Sequence, residues 1–297
     1  MKAPDIIFVN LGIKLKNVGS EFELFGLDIA YYGVIIALAM FLAMMFAFYR
    51  AKRDGQNLEY YYDLGIIAMV FGIVGARIYY VIFDWDSFKD KPMSIFNLRT
   101  GGLAVFGGLI LAVFVGFLYM KFRKMDFLQV MDTVIPAILL GQAVGRWGNF
   151  FNREAFGEYT NNLFAMQIKL DDATGVVSDS IRNNMIVQYG YTYIQVHPTF
   201  LYESAGAIFI LILILAISKL SYFKGEILSL YLIFYGILRF FVEGLRTDKL
   251  YLFKTGIPVS RLFSAILVLV GFILYIILRK KDSGNSNETE MEKSIES

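Results

Sequence analysis

The sequence predicts an all-α polytopic membrane protein with seven transmembrane helices, N-terminus outside and C-terminus inside. A small mixed extracytoplasmic subdomain is expected between spans four and five. Three observations carry this. Of 297 residues, 57% are hydrophobic and only 18% charged, with mean hydropathy +0.56. A soluble domain is about a quarter charged, and the polar surface left here could not cover a globule. Seven stretches stay predominantly apolar for the roughly 20 residues that a helix needs to cross the hydrocarbon core. Finally, Lys and Arg concentrate in alternate connections, at roughly twice the density of the opposite side.

The same composition excludes other classes. Disorder, a collagen-like chain and a disulfide scaffold do not fit it. With no Cys and a single His, thiol nucleophiles, thiolate metal sites and multi-histidine metal centres are ruled out. A formal net charge of +2 speaks against nucleic acid as a partner.

Taken in order, the N-terminal stretch MKAPDIIFVNLGIKLKNVGSEFELFG is mixed and polar. It has neither a short basic leader nor a small-residue cleavage site, so span one (28–48) is read as retained. Arg50, Lys52 and Arg53 follow it. Span two covers 63–83 and span three 101–120, the latter opening on Gly101–Gly102 and Gly107–Gly108 as helix-breaking or close-packing devices. Lys121, Arg123 and Lys124 close it. Span four (130–150) enters the long loop 151–198, where VVSDSIRNNMIVQYGYTYIQV shows short β-like alternation. Span five (199–217) is followed by Lys219 and Lys224, then come span six (227–246) and span seven (257–278), with Arg279, Lys280 and Lys281 behind it. The expected division is a membrane domain, 1–281, that includes the 151–198 subdomain, and a disordered cytoplasmic tail, 282–297. No Walker loop, dinucleotide fingerprint or repeat array is present.

Ionisable groups inside the bilayer cost about 2.5–3.5 kcal/mol each on insertion scales, so those retained usually pair or face a cavity. Here they are Arg77 in span two, Arg146 in span four, Glu203 in span five, and Arg239, Glu243 and Arg246 in span six. Tyr32, Asn149, Asn152, Glu154, His197, Tyr202 and Tyr235 accompany them. Tyr235, Arg239, Glu243 and Arg246 stand at i, i+4, i+8 and i+11, within an arc of roughly 80° on one helix face. Under the predicted topology, five helices bring polar groups toward the outer leaflet while the inner halves stay apolar. Taken singly, an interfacial Arg snorkels to headgroups, terminal aromatics form the interfacial belt, and His197 is a loop hydrogen-bonder. Three arginines from three helices at one depth, with carboxylates to fix them, suit a phosphate held by planar guanidinium forks. A phosphate in the outer leaflet is a phospholipid headgroup.

GRWGNFFNREAFGE, Gly145 to Glu158, is the most specific stretch. It closely resembles the G-R-x-G-N-F-x-N-x-E-x-x-G signature of the bacterial prolipoprotein diacylglyceryl transferases. Tyr32–Gly33, Gly75-Ala76-Arg77, the glycine-rich stretch Gly101 to Gly108, HPTFLYES (His197 to Ser204) and YGILRFFVEGLRTD (Tyr235 to Asp248) resemble further motifs of that family, in order along nearly the whole chain. The resemblance implies a seven-span enzyme of the bacterial inner membrane, active at the outer leaflet and needing no metal and no cofactor. It implies transfer of the diacylglyceryl group of phosphatidylglycerol to the lipobox cysteine of prolipoprotein signal peptides, with release of glycerol phosphate. By the same resemblance Arg146 and Arg239 are the essential phosphate-handling arginines, and Tyr32, Asn149, Gly157, Tyr235 and Glu243 shape the site. Asn152, Glu154, His197, Tyr202, Glu203, Arg77 and Arg246 complete the expected substrate-binding set, against membrane lipid.

One position departs from the pattern. Some members carry a His before the second glycine pair of span three, and here that residue is Phe106. An Arg-rich site can instead supply the substrate thiolate electrostatically; Glu203, Glu243 and His197 remain open as proton acceptors. The rival reading is a secondary transporter or flippase of an anionic lipid or small anion, where intramembrane Arg–Glu networks also occur. A non-catalytic membrane scaffold is the third reading, and it gives no reason for three converging arginines.

Overall fold

The computed structural model describes residues 3–97, 101–220, 223–249, 251, 256 and 258–283, apart from the side chain of Val105. Among them, α1 (Tyr31–Arg53), α2 (Leu58–Phe83), α4 (Phe127–Asn152), α6 (Thr199–Ile217), α7 (Glu226–Leu245) and α8 (Val259–Glu296, described as far as Ser283) are each long and apolar enough to cross a membrane. The seventh expected span is the shorter apolar helix α3 (Val105–Phe122). It begins after residue 101, where it was expected, because Gly101 and Gly102 adopt left-handed φ of 77° and 76°, which a right-handed helix cannot contain. The tail expected at 282–297 lies outside the described residues from 284 on.

The chain forms two compact units, Met44–Val134 and Met1–Ala43 with Ile135–Ser297. In the first, α2 and α3 approach through glycine. A Cβ on Gly75 would stand 2.5 Å from the Gly107 carbonyl oxygen, and one on Gly108 2.5 Å from that of Gly72. Such close backbone approach tolerates no larger residue. Tyr61, Met120, Val130 and Ala51 form a buried cluster at one end. Beside it, buried Arg50 donates to the carbonyls of Thr133 (3.2 Å) and Asp132 (3.3 Å). Pro136, four residues along α4 from Asp132, has no N–H to offer that carbonyl. A charged side chain thus takes over a backbone hydrogen bond that the sequence removes.

The second unit carries an antiparallel sheet of five strands in the order β2-β1-β5-β7-β6: β1 (Ile6–Phe8), β2 (Ile13–Leu15), β5 (Met166–Lys169), β6 (Ile186–Gln188) and β7 (Tyr191–Val196). β6 and β7 turn through Tyr189 and Gly190, both at positive φ (53° and 79°), the pairing that a tight two-residue hairpin requires. The alternation seen in 151–198 is therefore a real hairpin. β1, absent from the sequence expectation, pairs Ile6 with Ile168 and Phe8 with Met166. Ile6, Ile168, Ile194 and Val196 are fully buried against Phe150, Phe156, Phe200 and Ile181, the last from the short helix α5 (Asp179–Arg182). A separate hairpin, β3 (Glu21–Leu24) and β4 (Leu27–Ala30), turns at Phe25 and Gly26 directly before α1.

Candidate active site

Glycines on α4 set where its polar residues go. Gly141 and Gly145 lie against Ala39 of α1, and a Cβ on Gly148 would fall 2.9 Å from the Tyr32 ring. Tyr32 therefore packs directly on this glycine, one residue before Asn149. Trp147 Nε1 donates to Ser204 Oγ (3.2 Å), which donates to the Ala143 carbonyl (2.8 Å). This fixes α6, and with it Glu203, against α4. Beyond Asn152 the backbone reverses through left-handed Arg153 and Ala155 (φ 49° and 55°). The reversal brings Glu154 back so that Asn149 donates to its carboxylate at 2.9 Å and Asn152 at 3.4 Å.

The arginines meet at Glu203, whose side chain is only 3% exposed. Arg146 Nη2 and Arg239 Nη1 both stand 2.7 Å from its Oε2. Arg239 Nη2 also reaches Glu243 Oε2, 2.8 Å away and one helical turn on. Arg246 lies 3.9 Å from Glu203 Oε1 but commits Nε and Nη2 to both oxygens of Asp248, at 2.8 and 2.6 Å. Burial alone would raise the Asp248 carboxyl, yet the Arg246 hydrogen bonds and charge hold it below its ordinary value. Of five N–H donors per guanidinium, Arg246 spends two on Asp248 and Arg239 two on carboxylates. Arg146 spends one, with a long contact to Asn149 Oδ1 at 3.5 Å. Arg146 is also the most exposed of the three, at 25%. Its greater exposure leaves it the most open of the three to an added anion.

Gly157 joins three elements. Its N–H donates to the His197 carbonyl (3.0 Å), the next N–H, of Glu158, to the Leu245 carbonyl (2.8 Å), and a Cβ on Gly157 would stand 2.7 Å from that carbonyl oxygen and 2.8 Å from the His197 Cβ. Only glycine lets the post-α4 loop pass between the end of α7 and the start of α6. His197 Nδ1 lies 3.2 Å from the Tyr202 hydroxyl, and Asn162 Nδ2 donates to that hydroxyl at 2.9 Å. Burial lowers the His197 pKa, favouring the neutral ring. Tyr235, on the Arg239 face of α7, stacks on Tyr231 with ring centroids 5.2 Å apart.

One expected site residue, Arg77, belongs to the other unit, and so does the departing position Phe106. Arg77 is buried with its guanidinium on five carbonyls, those of Ser94, Ile95, Asn97, Gly101 and Gly102, at 2.7–3.0 Å. Its role there is to hold the connection that precedes α3. Phe106 is 66% exposed on α3. Three contributors had not been singled out from the sequence. Asn162 is a loop residue with no pattern to mark it; Asp248 closes the YGILRFFVEGLRTD motif but was given no role of its own. Gln142, which donates to the Tyr231 hydroxyl at 2.9 Å, lay inside an apolar span one turn before Arg146.

The arrangement is a set of preorganised guanidinium donors backed by buried carboxylates, suited to a phosphate whose charge grows during a reaction. Residues 20–277 match the family described as prolipoprotein diacylglyceryl transferase. Relatives named phosphatidylglycerol–prolipoprotein diacylglyceryl transferase occur in Clostridium novyi (42% identical, covering 86% of this chain and 93% of the relative) and Finegoldia magna (41%, covering 88% and 95%). Another, from Clostridioides difficile, is 39% identical and covers 90% of this chain and 98% of the relative.

Proposed function

This chain belongs to the prolipoprotein diacylglyceryl transferase family, and on that premise we propose that it transfers the diacylglyceryl group of phosphatidylglycerol to the lipobox cysteine of prolipoproteins. The observation that carries the chemistry is the convergence of Arg146 and Arg239 on Glu203. The substrate thiol gives its proton to solvent, favoured by nearby guanidinium charge. The thiolate attacks the glyceryl C3 carbon, an S–C bond forms and the C–O bond breaks. The electron pair of that bond stays on the phosphate oxygen of the departing glycerol phosphate. Arg146 and Arg239 stabilise this developing charge through donors fixed in advance by Glu203 and Glu243. Tyr32, Asn149, Asn152 and Glu154 line the approach to Arg146. Gly157, His197, Tyr202, Tyr235 and Arg246 hold the surrounding elements, and Arg77 holds the connection before α3.

The setting is a bacterial inner membrane, with the N-terminus and residues 151–198 outside, the basic loops inside and the site at the outer leaflet. Seven crossings have support from parity. β1 and β5 share one sheet, so their segments lie on the same side of the membrane. An even number of crossings in the α1–α4 stretch between them supports the reading in which the short helix α3 crosses as well. Family membership gives no support to the transporter reading.

Purified protein with labelled phosphatidylglycerol and a lipobox peptide tests the function. Label on the peptide is expected; label moved across vesicles without peptide modification would favour the transporter. For orientation, Ser180→Cys in this Cys-free chain should react with an impermeant thiol reagent on intact cells. Reaction only after permeabilisation would reverse the topology.

A further inference from the structure

Below the arginines, on the same face of α4, sits an amide that the mechanism above leaves unused. Gln142 precedes Arg146 by four residues, one helical turn. Its Nε2 donates to the Tyr231 hydroxyl at 2.9 Å, while its Oε1 is buried with no hydrogen-bond partner among the described residues. Tyr231 stacks on Tyr235 at 5.2 Å, and Tyr235 in turn precedes Arg239 by one turn. Two rungs thus link α4 to the neighbouring helices, the Gln142–Tyr231 bond and the Arg146–Glu203–Arg239 bridge. The amide's free end belongs to the lower rung.

A buried polar atom without a partner is costly, and a packed apolar side chain would avoid that cost. Whichever way the amide is turned, one end lacks a partner. A free oxygen needs a donor, and a free NH2 group needs an acceptor. A hydroxyl is both, and it satisfies either orientation. The substrate that we assign to the site carries a phosphate and, beside it, a glycerol headgroup with two hydroxyls.

We propose that Gln142 is a specificity-determining residue: its free amide end hydrogen-bonds a hydroxyl of the phosphatidylglycerol headgroup while Arg146 and Arg239 hold the adjacent phosphate. This rests on the phosphatidylglycerol reading above. It assigns to the amide a discrimination that guanidinium groups alone cannot make, because every anionic phosphodiester lipid offers them the same charge.

Phosphatidylmethanol is the matched probe, a monoanionic phosphodiester with the same diacylglycerol and no headgroup hydroxyl. Its affinity and that of phosphatidylglycerol are compared by competition on the full-length protein in neutral nanodiscs. The wild type is expected to prefer phosphatidylglycerol about five- to tenfold, the size of one net hydrogen bond. Gln142→Leu should bring the ratio near one, through weaker phosphatidylglycerol binding with phosphatidylmethanol unchanged. Equal binding of both lipids by the wild type overturns the proposal without any variant, which covers a Leu variant that does not fold. An unchanged ratio in folded Gln142→Leu overturns it as well. If phosphatidylglycerol is neither bound nor used for transfer, the functional reading itself fails; if it is transferred while the ratio stays fixed, only the role of Gln142 fails.

Discussion

Arg146 of α4 and Arg239 of α7 share a single atom: each guanidinium lies 2.7 Å from Oε2 of Glu203. Two like charges are thereby held together by one almost fully buried carboxylate.

Replacing either arginine should abolish transfer without preventing membrane insertion. Loss of one preorganised donor typically costs about 10²–10³ in rate. Arg239→Lys should rescue poorly, since an ammonium lacks the planar fork that contacts Glu203 and Glu243 together at 2.7 and 2.8 Å. Turnover of membrane-inserted variants checks this, and full activity in Arg239→Lys would mean that charge alone suffices.

Glu203→Gln keeps the shape and removes the charge that holds the arginines together. Removing one partner of a buried ion pair costs about 3–5 kcal/mol, so its thermal midpoint in detergent should fall clearly. Arg146→Met added to Glu203→Gln should recover part of the loss by relieving repulsion with Arg239. A double variant no more stable than Glu203→Gln would argue against electrostatic coupling.

His197→Gln should slow transfer by disturbing Tyr202 and Asn162, yet leave the shape of the pH–rate profile unchanged, because the proton lost is that of the substrate thiol. Loss of an ionisation at or below about 6.5, the ordinary histidine value, would instead make His197 the base. The direction follows from burial, which holds its pKa down.

Phe106→Ala should be milder than Arg146→Ala, and Phe106→His should be tolerated, since an exposed Phe transfers no proton and contributes only contact. Turnover of the three variants tests this; a Phe106→Ala enzyme as inactive as Arg146→Ala would remove the main catalytic burden from the arginines.

In the sheet, Asp5 accepts from Lys169 (2.7 Å) and from the Val18 N–H (3.0 Å). Burial raises the Asp5 carboxyl, but these bonds and the Lys169 charge outweigh it and the pKa is lowered from 3.8. The stability that this pair contributes is thus present above pH 3.8 and is lost as the pH falls through the lower, folded value. Asp5→Asn should be less stable at neutral pH and should lack that part of the acid dependence, as unfolding followed from pH 7 to 3 would reveal.

The helices were legible because 20-residue apolar runs have few alternatives, and Arg146, Glu203, Arg239 and Glu243 stood out as charges within such runs. What they touch was less legible. Asn162 sits where polar residues are ordinary, so nothing in its surroundings marks it, and Asp248 was legible only as the last residue of the YGILRFFVEGLRTD motif. Strand β1 was missed for a physical reason: Ile6, Ile7 and Phe8 are all buried, and a short continuous apolar run carries no period. The hairpin β3–β4 was hidden by its turn, where Phe25 occupies a left-handed position (φ 53°) that usually signals itself with Asn or Asp. The start of α3 shifted because Gly101 and Gly102 act on the backbone, which hydropathy does not register.

The place of β1 in the sheet sets an order of events during synthesis. Phe8 pairs with Met166, which is translated roughly 160 residues later, a delay of about 8–30 s at ordinary elongation rates. Four apolar helices are translated in that interval while β1 waits with an unpaired edge. Such an edge is an invitation to foreign pairing, and a ribosome stalled before residue 166 would leave it open for as long as the stall lasts.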